Sequence, residues 1–285
     1  ASQPGAGVRI HIARARIAAH PAQIPTPNRG WSTDCATAAV MSRDFRSYAL
    51  SDLSWVEVEA HLSRDPRLIL PVGVCDQFGP HLPTGAATII TEALAHDLSQ
   101  EFRVLRAPTL HYGINVAAQR SYPGAAGLGI KTLHRAINEL LGGWEAAGVT
   151  ELITITAHSH DPHVEALATV FPKRARVRVV DALAVDLAKF LDGPPSPQHG
   201  GEVVTSLLLH LQPDRVQSIP GADFLLDPEH LPRFILGRLP TLPSECPGSV
   251  GLPSLASADK GCRIYAHVLQ KIRERIFLAP VDDFE

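Results

Sequence analysis

A chain of 285 residues, 45% of them hydrophobic, with mean hydropathy +0.04, can bury one large core, which excludes a wholly disordered protein. Its formal net charge of -3 and isoelectric point near 6.6 come with no basic stripe, so nucleic acid is excluded as a partner class. No apolar run reaches the length of a membrane span, and Cys35, Cys75, Cys246 and Cys262 lack paired spacing, which points to free thiols in reducing, cytoplasmic surroundings.

In residues 1–50, Arg9, Arg14, Arg16 and Arg29 precede the first acid, Asp34, among Ala, Pro and Gly. This segment reads as a mobile N-terminal extension ahead of a single domain, 51–285. Asp52, Leu53, Trp55, Val58 and Leu62 then fall at helical spacing, with Asp52 as cap. Leu68, Ile69, Leu70, Val72 and Val74 form a nearly continuous apolar run, the pattern of a strand covered by helices on both faces. The run stops at Asp76, Gln77, Gly79, Pro80, His81 and Pro83, a turn-forming stretch that holds a carboxylate and an imidazole beyond the strand's carboxyl end.

Onward, the pattern predicts a helix over 89–100, a strand over 102–107 and a long loop over 109–129. A helix over 130–147 ends at Gly148 in the left-handed region. A strand over 152–156 leads into a helix running to about 171, with Asp161 as cap and Pro162 at its first position. A strand over 177–181, a helix through Leu187 and Leu191, a Pro- and Gly-rich loop over 193–201 and a helix over 202–211 come next. The chain then reads as loop over 248–260 and closes with an amphipathic helix over 259–276. Strands alternating with helices at this spacing imply an α/β fold with a mainly parallel sheet.

Three junctions carry ionisable clusters: Asp76 with His81; His158 with His160 and His163; and His199 with Glu202. In a parallel sheet these meet at one edge. Carboxylate and imidazole are ligands that zinc, manganese and iron accept, so Asp76, His158 and Glu202 make a candidate set for one metal ion. Tyr112, Tyr122 and Phe78 are candidates for a substrate-binding wall, whereas Trp144 lies on a helix's apolar face and belongs to the core. Specificity is expected in the loops over 109–129, 193–198 and 220–255.

The turn Asp76, Gln77, Phe78, Gly79, Pro80, His81, Leu82, Pro83 resembles the creatininase family, creatinine amidohydrolase and its relatives. The corresponding stretch there reads Glu-Gln-His-Gly-Pro-His-Leu-Pro, followed by Thr-Asp. Tyr112 and Gly113, then Tyr122, Pro123 and Gly124, then His158, fall in the family's order. So do His199, Gly200, Gly201 and Glu202 with Thr205 and Ser206, and Ala256 and Ser257 with Lys260 and Gly261; the likeness spans about 50–277. It implies a creatininase-like three-layer α/β/α fold with a mainly parallel central sheet. It also implies cleavage of cyclic or linear amide C–N bonds with two divalent metals, and a homo-oligomer, a hexamer.

Against that pattern, Asp76 replaces the first glutamate, Phe78 replaces the first histidine and Ala87 replaces the aspartate that bridges two metals. A phenyl ring and a methyl group donate no lone pair, so a dinuclear site is not expected. At most one ion remains, zinc, manganese or iron on Asp76, His158 and Glu202, or none. His160 stands where creatininase has a catalytic glutamate. Two functions follow. One is an amidohydrolase-like enzyme acting on an amide or cyclic-amide C–N bond of a small molecule, by hydrolysis or ring closure. In it His81 or His160 moves protons and His199 serves the leaving nitrogen. The other is a non-catalytic relative with a binding or oligomer-scaffolding role.

Overall fold

The computed structural model describes residues 10–13, 47–194, 198–217 and 220–279. Five strands, β1 (Ile10–Ala13), β2 (Arg67–Pro71), β3 (Leu105–Arg106), β4 (Glu151–Thr156) and β5 (Arg176–Asp181), form one sheet in the order β1-β5-β4-β2-β3. The last four pair in parallel, and β1 closes one edge antiparallel to β5, with Ile10 opposite Val180. The helices are α1 (Trp55–Leu62), α2 (Ala86–Phe102), α3 (Ile130–Ala146), α4 (Asp161–Ala168), α5 (Glu202–Leu211), α6 (His230–Ile235) and α7 (Ala258–Ile272).

Strand side chains alternate between two cores, as the two-residue period requires. Ile69, Ile153, Ile155 and Val180 pack with α2, α5 and α7. Leu68, Leu70, Leu152, Val177 and Val179 pack with α1, α3 and α4. The strands are therefore apolar on both faces, and the result is the expected three-layer α/β/α arrangement around a mainly parallel sheet. Trp144 is partly buried against the second core, as its place on α3 foretold.

Several boundaries differ from the sequence reading. α1 is capped by Ser54, in a reciprocal box with Glu57 three residues on, while Asp52 ends a short 3-10 turn. Phe102 belongs to α2, whose C-cap Arg103 is left-handed (φ 55°), so only two residues remain for β3. The helix expected through Leu187 and Leu191 shrinks to one 3-10 turn, Ala188–Phe190. His160, not Asp161, is the N-cap of α4, and Asp161 starts the helix. The closing helix finishes in a π turn, Arg273–Phe277. Within the segment expected to be an N-terminal extension, Ile10–Ala13 is the edge strand, and most of the remainder lies outside the described residues. Of the cysteines, Cys75 and Cys246 are free, but Cys262 is disulfide-bonded, which corrects the expectation of free thiols throughout.

The stretch 222–250, read as loop, instead forms α6 and a small third core of Val116, Ala118, Leu226, Phe234, Leu239, Cys246 and Val250. It is tied down at both ends by the bridges Phe224 to Gly251 and His199 to Val250. This segment covers the carboxyl edge of the sheet.

Candidate active site

Beyond β2 the chain turns, and the Asp76 N–H donates to the Thr84 carbonyl (3.0 Å), closing the loop that leads into α2. The Asp76 carboxyl is fully buried. It accepts from its neighbours' backbone, Gln77 N at 2.9 Å and Val116 N at 3.3 Å. Burial pushes its pKa up to about 7, although those two hydrogen bonds, Asn115 and the Arg120 guanidinium pull the other way.

The second group comes from the end of β4. The His158 Nε2–H donates to the Ile114 carbonyl (3.2 Å), so in the neutral ring Nδ1 carries the lone pair. Burial, helped by His163, His160 and His199, holds His158 well below the ordinary imidazole range. His163 accepts at Nδ1 from the Ile114 N–H (3.2 Å) and meets Thr156 Oγ1 through Nε2 (3.0 Å). Burial lowers His163 to about 3 and His160 to about 4. Ring centroids of His158 lie 5.7 Å from His160, 5.3 Å from His163 and 6.4 Å from His199. The stretch 114–116 touches both His158 and Asp76, so one segment of the long loop links the carboxyl to the imidazole cluster.

His199 precedes α5. Its Nε2–H donates to the Gln77 carbonyl in a short hydrogen bond, and burial lowers the ring to about 4. Phe78 stacks flat on it, with centroids 4.5 Å apart and planes 12° from parallel, and presents an edge to His158 at 6.4 Å. His81 sits behind this group. The Thr205 hydroxyl donates to the Gly200 carbonyl (3.2 Å), so it accepts from His81 Nε2 (2.9 Å), and His81 Nδ1 is left buried without a partner. The covering segment closes over the cluster. Phe234 is edge-on to His199 at 6.4 Å, and a Cβ on Gly237 would come within 2.8 Å of His160 Cε1.

His158, His160, His199 and Phe78 thus come together, with Asp76 joined to them through residues 114–116 and Gln77. Tyr122 is half-buried beside Gly248 at the margin, while Tyr112 is 53% exposed and leaves its ring in solvent. Glu202 does not join the group. Its carboxylate accepts from the backbone of Asp192 (2.9 Å) and Gly193 (3.0 Å), and from Lys260 Nζ in a short ion pair. The ligand set Asp76, His158 and Glu202 is therefore not assembled: among the described residues no group of three or more His, Cys, Asp or Glu is placed to hold a metal ion. The physical reasons are the Phe78 ring against His199 and the capture of Glu202 by Lys260. The donors present do not fit a bound metal.

The sequence reading gave no site role to Gln77, Gln119, Arg120, Phe234 and Gly237. Each carried a signal all the same: Gln77 lies in the turn after β2, and the others lie in the loops 109–129 and 220–255 marked for specificity.

A buried carboxyl group and imidazoles thus sit at the carboxyl edge of a mainly parallel sheet, between the helical layers of an α/β chain. The chain belongs to the creatininase family: the family described as creatinine amidohydrolase matches residues 51–276. The mycofactocin precursor peptide peptidase of Mycolicibacterium smegmatis is 31% identical over 220 residues, covering 74% of this chain and 84% of that protein. Creatinine amidohydrolase of Pseudomonas putida is 25% identical over 256 residues, covering 81% and 96%. The crystal structure of a creatininase superposes with a TM-score of 0.67 at 23% identity, covering 81% of this chain and 96% of that one. Solved creatininases include a zinc-zinc form and a manganese form. Among the described residues no helix is long and apolar enough to cross a membrane.

Proposed function

We propose that this chain acts on an amide or cyclic-amide C–N bond of a small molecule, in the hydrolytic or the ring-closing direction, by acid/base chemistry without a two-metal centre. The observation that carries this reading is a fully buried carboxyl tied through residues 114–116 to a cluster of buried imidazoles, with burial raising the carboxyl to about 7 and keeping the imidazoles neutral. A carboxyl with that pKa exchanges a proton near neutral pH, the condition for efficient general acid/base work.

The roles follow from the hydrogen bonds. His158 and His199 each spend Nε2–H on a backbone carbonyl, so each offers Nδ1 as a base to water or to an attacking amine. In hydrolysis protonated Asp76 gives its proton to the leaving nitrogen while an imidazole takes one from water; in ring closure ionised Asp76 takes a proton from the attacking nitrogen and the imidazolium returns one to the departing water. His160, under Gly237, is the third base available to the covered space. His81 acts through its Thr205 contact as a positioning residue for the start of α5. Phe78 supplies an apolar wall where relatives resembling this chain carry a histidine.

Asp76→Asn tests the proposal. Amine release from a panel of linear and cyclic amides should fall about hundredfold or more, the usual scale for losing a general acid, with the fold intact by circular dichroism. Turnover unchanged in Asp76→Asn overturns it. The alternative, a non-catalytic binding or scaffolding protein, is favoured by one observation: Asp76, His158, His160 and His199 are all buried beneath the covering segment. Ligand binding with no turnover across the panel selects that reading. A homo-oligomer is proposed on the family resemblance, and light scattering tests it.

A further inference from the structure

Two neighbouring donors that contact Gln77 and Asn115 find no anionic hydrogen-bond acceptor among the described residues, and we infer from them a carboxylate subsite: Gln119 and Arg120 hold a carboxylate group of the substrate, next to the amide on which the site acts. This rests on the functional reading above and names its substrate class, an amide bearing a free carboxylate such as an N-acyl amino acid.

Gln119 ends the 3-10 turn Ala117–Gln119 and is fully buried. Its Oε1 accepts a short hydrogen bond from Gln77 Nε2. Gln77 is itself fixed, because Nε2 also donates to the Gly248 carbonyl (2.8 Å) and Oε1 accepts from Gly79 N (2.8 Å). That chain of bonds sets the orientation of the Gln119 amide and leaves its Nε2 buried with no partner. A buried unsatisfied donor costs about 1–3 kcal/mol, which an acceptor on a ligand recovers.

Arg120 follows directly. Its Nη2 makes one long contact, 3.4 Å to the Asn115 carbonyl, and no carboxylate of the described residues pairs with it. The residue is exposed, its one contact is to the residue before Val116, whose N–H meets Asp76, and its charge bears on both Asp76 and His160. Guanidinium and amide N–H groups are donors only. One buried and one exposed, on consecutive residues, they call for a group that only accepts and spans both, and carboxylate meets that requirement.

The test is a set of matched probes, N-acetyl amino acids and the corresponding N-acetyl amino-acid amides. They are titrated by ligand-observed NMR against the full chain, Arg120→Gln, Arg120→Lys and Gln119→Leu, with turnover followed in parallel. The acids should bind about tenfold more tightly than their amides, the scale of a charge-assisted pair. Arg120→Gln should abolish that preference, Arg120→Lys should keep part of it, and Gln119→Leu should reduce it. Equal affinity for acids and amides, a preference that survives Arg120→Gln, or no binding of either set overturns the subsite. An Arg120-dependent preference with no turnover supports the subsite and counts against the catalytic reading. Turnover of the neutral amides with no preference for acids does the reverse.

Discussion

Replacing Lys260 with Met removes the cation that holds Glu202, and the size of the effect follows from what surrounds the carboxylate. Glu202 is fully buried and Lys260 is 4% exposed. The ammonium also reaches the Leu255 carbonyl at 2.7 Å and Asp192 at 2.9 Å. Burial alone pushes the lysine's pKa down, but the hydrogen bonds and charges of Glu202 and Asp192 outweigh it and raise it. Asp192 lies in solvent, so its arm of the network adds little. In Lys260→Met the Glu202 carboxylate keeps only its two backbone donors, and stranding a buried charge costs about 3–5 kcal/mol. Equilibrium urea unfolding, followed by tryptophan fluorescence, should show that loss as a lower midpoint with an unchanged slope. The double variant Glu202→Gln, Lys260→Met leaves no charge behind and should recover most of the stability. A single variant within about 1 kcal/mol of the parent refutes the reasoning, since that is the scale of a solvent-exposed pair.

Stability should rise with pH between about 4 and 7. His160, His163 and His199 sit at about 4, 3 and 4 when folded against 6.5 unfolded, so their contribution is complete above 6.5 and is lost as pH falls. Each is worth on the order of 3 kcal/mol. Asp76, raised to about 7 from 3.8, opposes them, because its contribution is complete below 3.8 and is lost as pH rises through 7. Three groups outweigh one, and a midpoint of urea unfolding that stays flat from pH 4.5 to 7 contradicts this balance. Gly200→Ala should destabilise by about 3 kcal/mol or more in the same assay, because Gly200 has φ +66° and a Cβ there would lie 1.9 Å from the Phe78 carbonyl oxygen. The double variant Phe78→His, Ala87→Asp should take up zinc that the parent does not, as read by mass spectrometry of metal content. Equal zinc in both proteins removes the account of Phe78 and Ala87 as the lost donors.

The fold was legible where hydrophobic period and punctuation agreed. Glu202–Leu211 and the strands around Ile69, Ile153 and Val179 follow from apolar runs bounded by Gly, Pro and Asp. The same signals failed where tertiary contacts decide. Residues 222–250 are too rich in Pro and Gly to show a period, yet five of their scattered apolar side chains find one another and meet Val116 and Ala118 of the long loop. Leu187 and Leu191 have helical spacing but support only a single turn. At the site, the sequence located Asp76, His158, His160 and His199 at one sheet edge, because each follows a strand or opens a helix. It did not show that Lys260 takes Glu202, since 58 residues separate them and charge pairing leaves no mark in local pattern. Nor could spacing orient Tyr112, whose neighbourhood in the long loop matches the family while its ring faces water.

The cover formed by residues 222–250 has a consequence for any measurement of affinity. Phe234 and Gly237 lie against His199 and His160, so for a ligand that binds those rings only where the two have moved aside, the measured dissociation constant is the intrinsic one divided by the open fraction. If one molecule in a hundred is open, binding is weakened about hundredfold at no change in contacts. Substrates of this chain are then ranked partly by how well they hold the cover away from the histidines, and weak apparent binding reports on the seven-residue third core as much as on the groups beneath it.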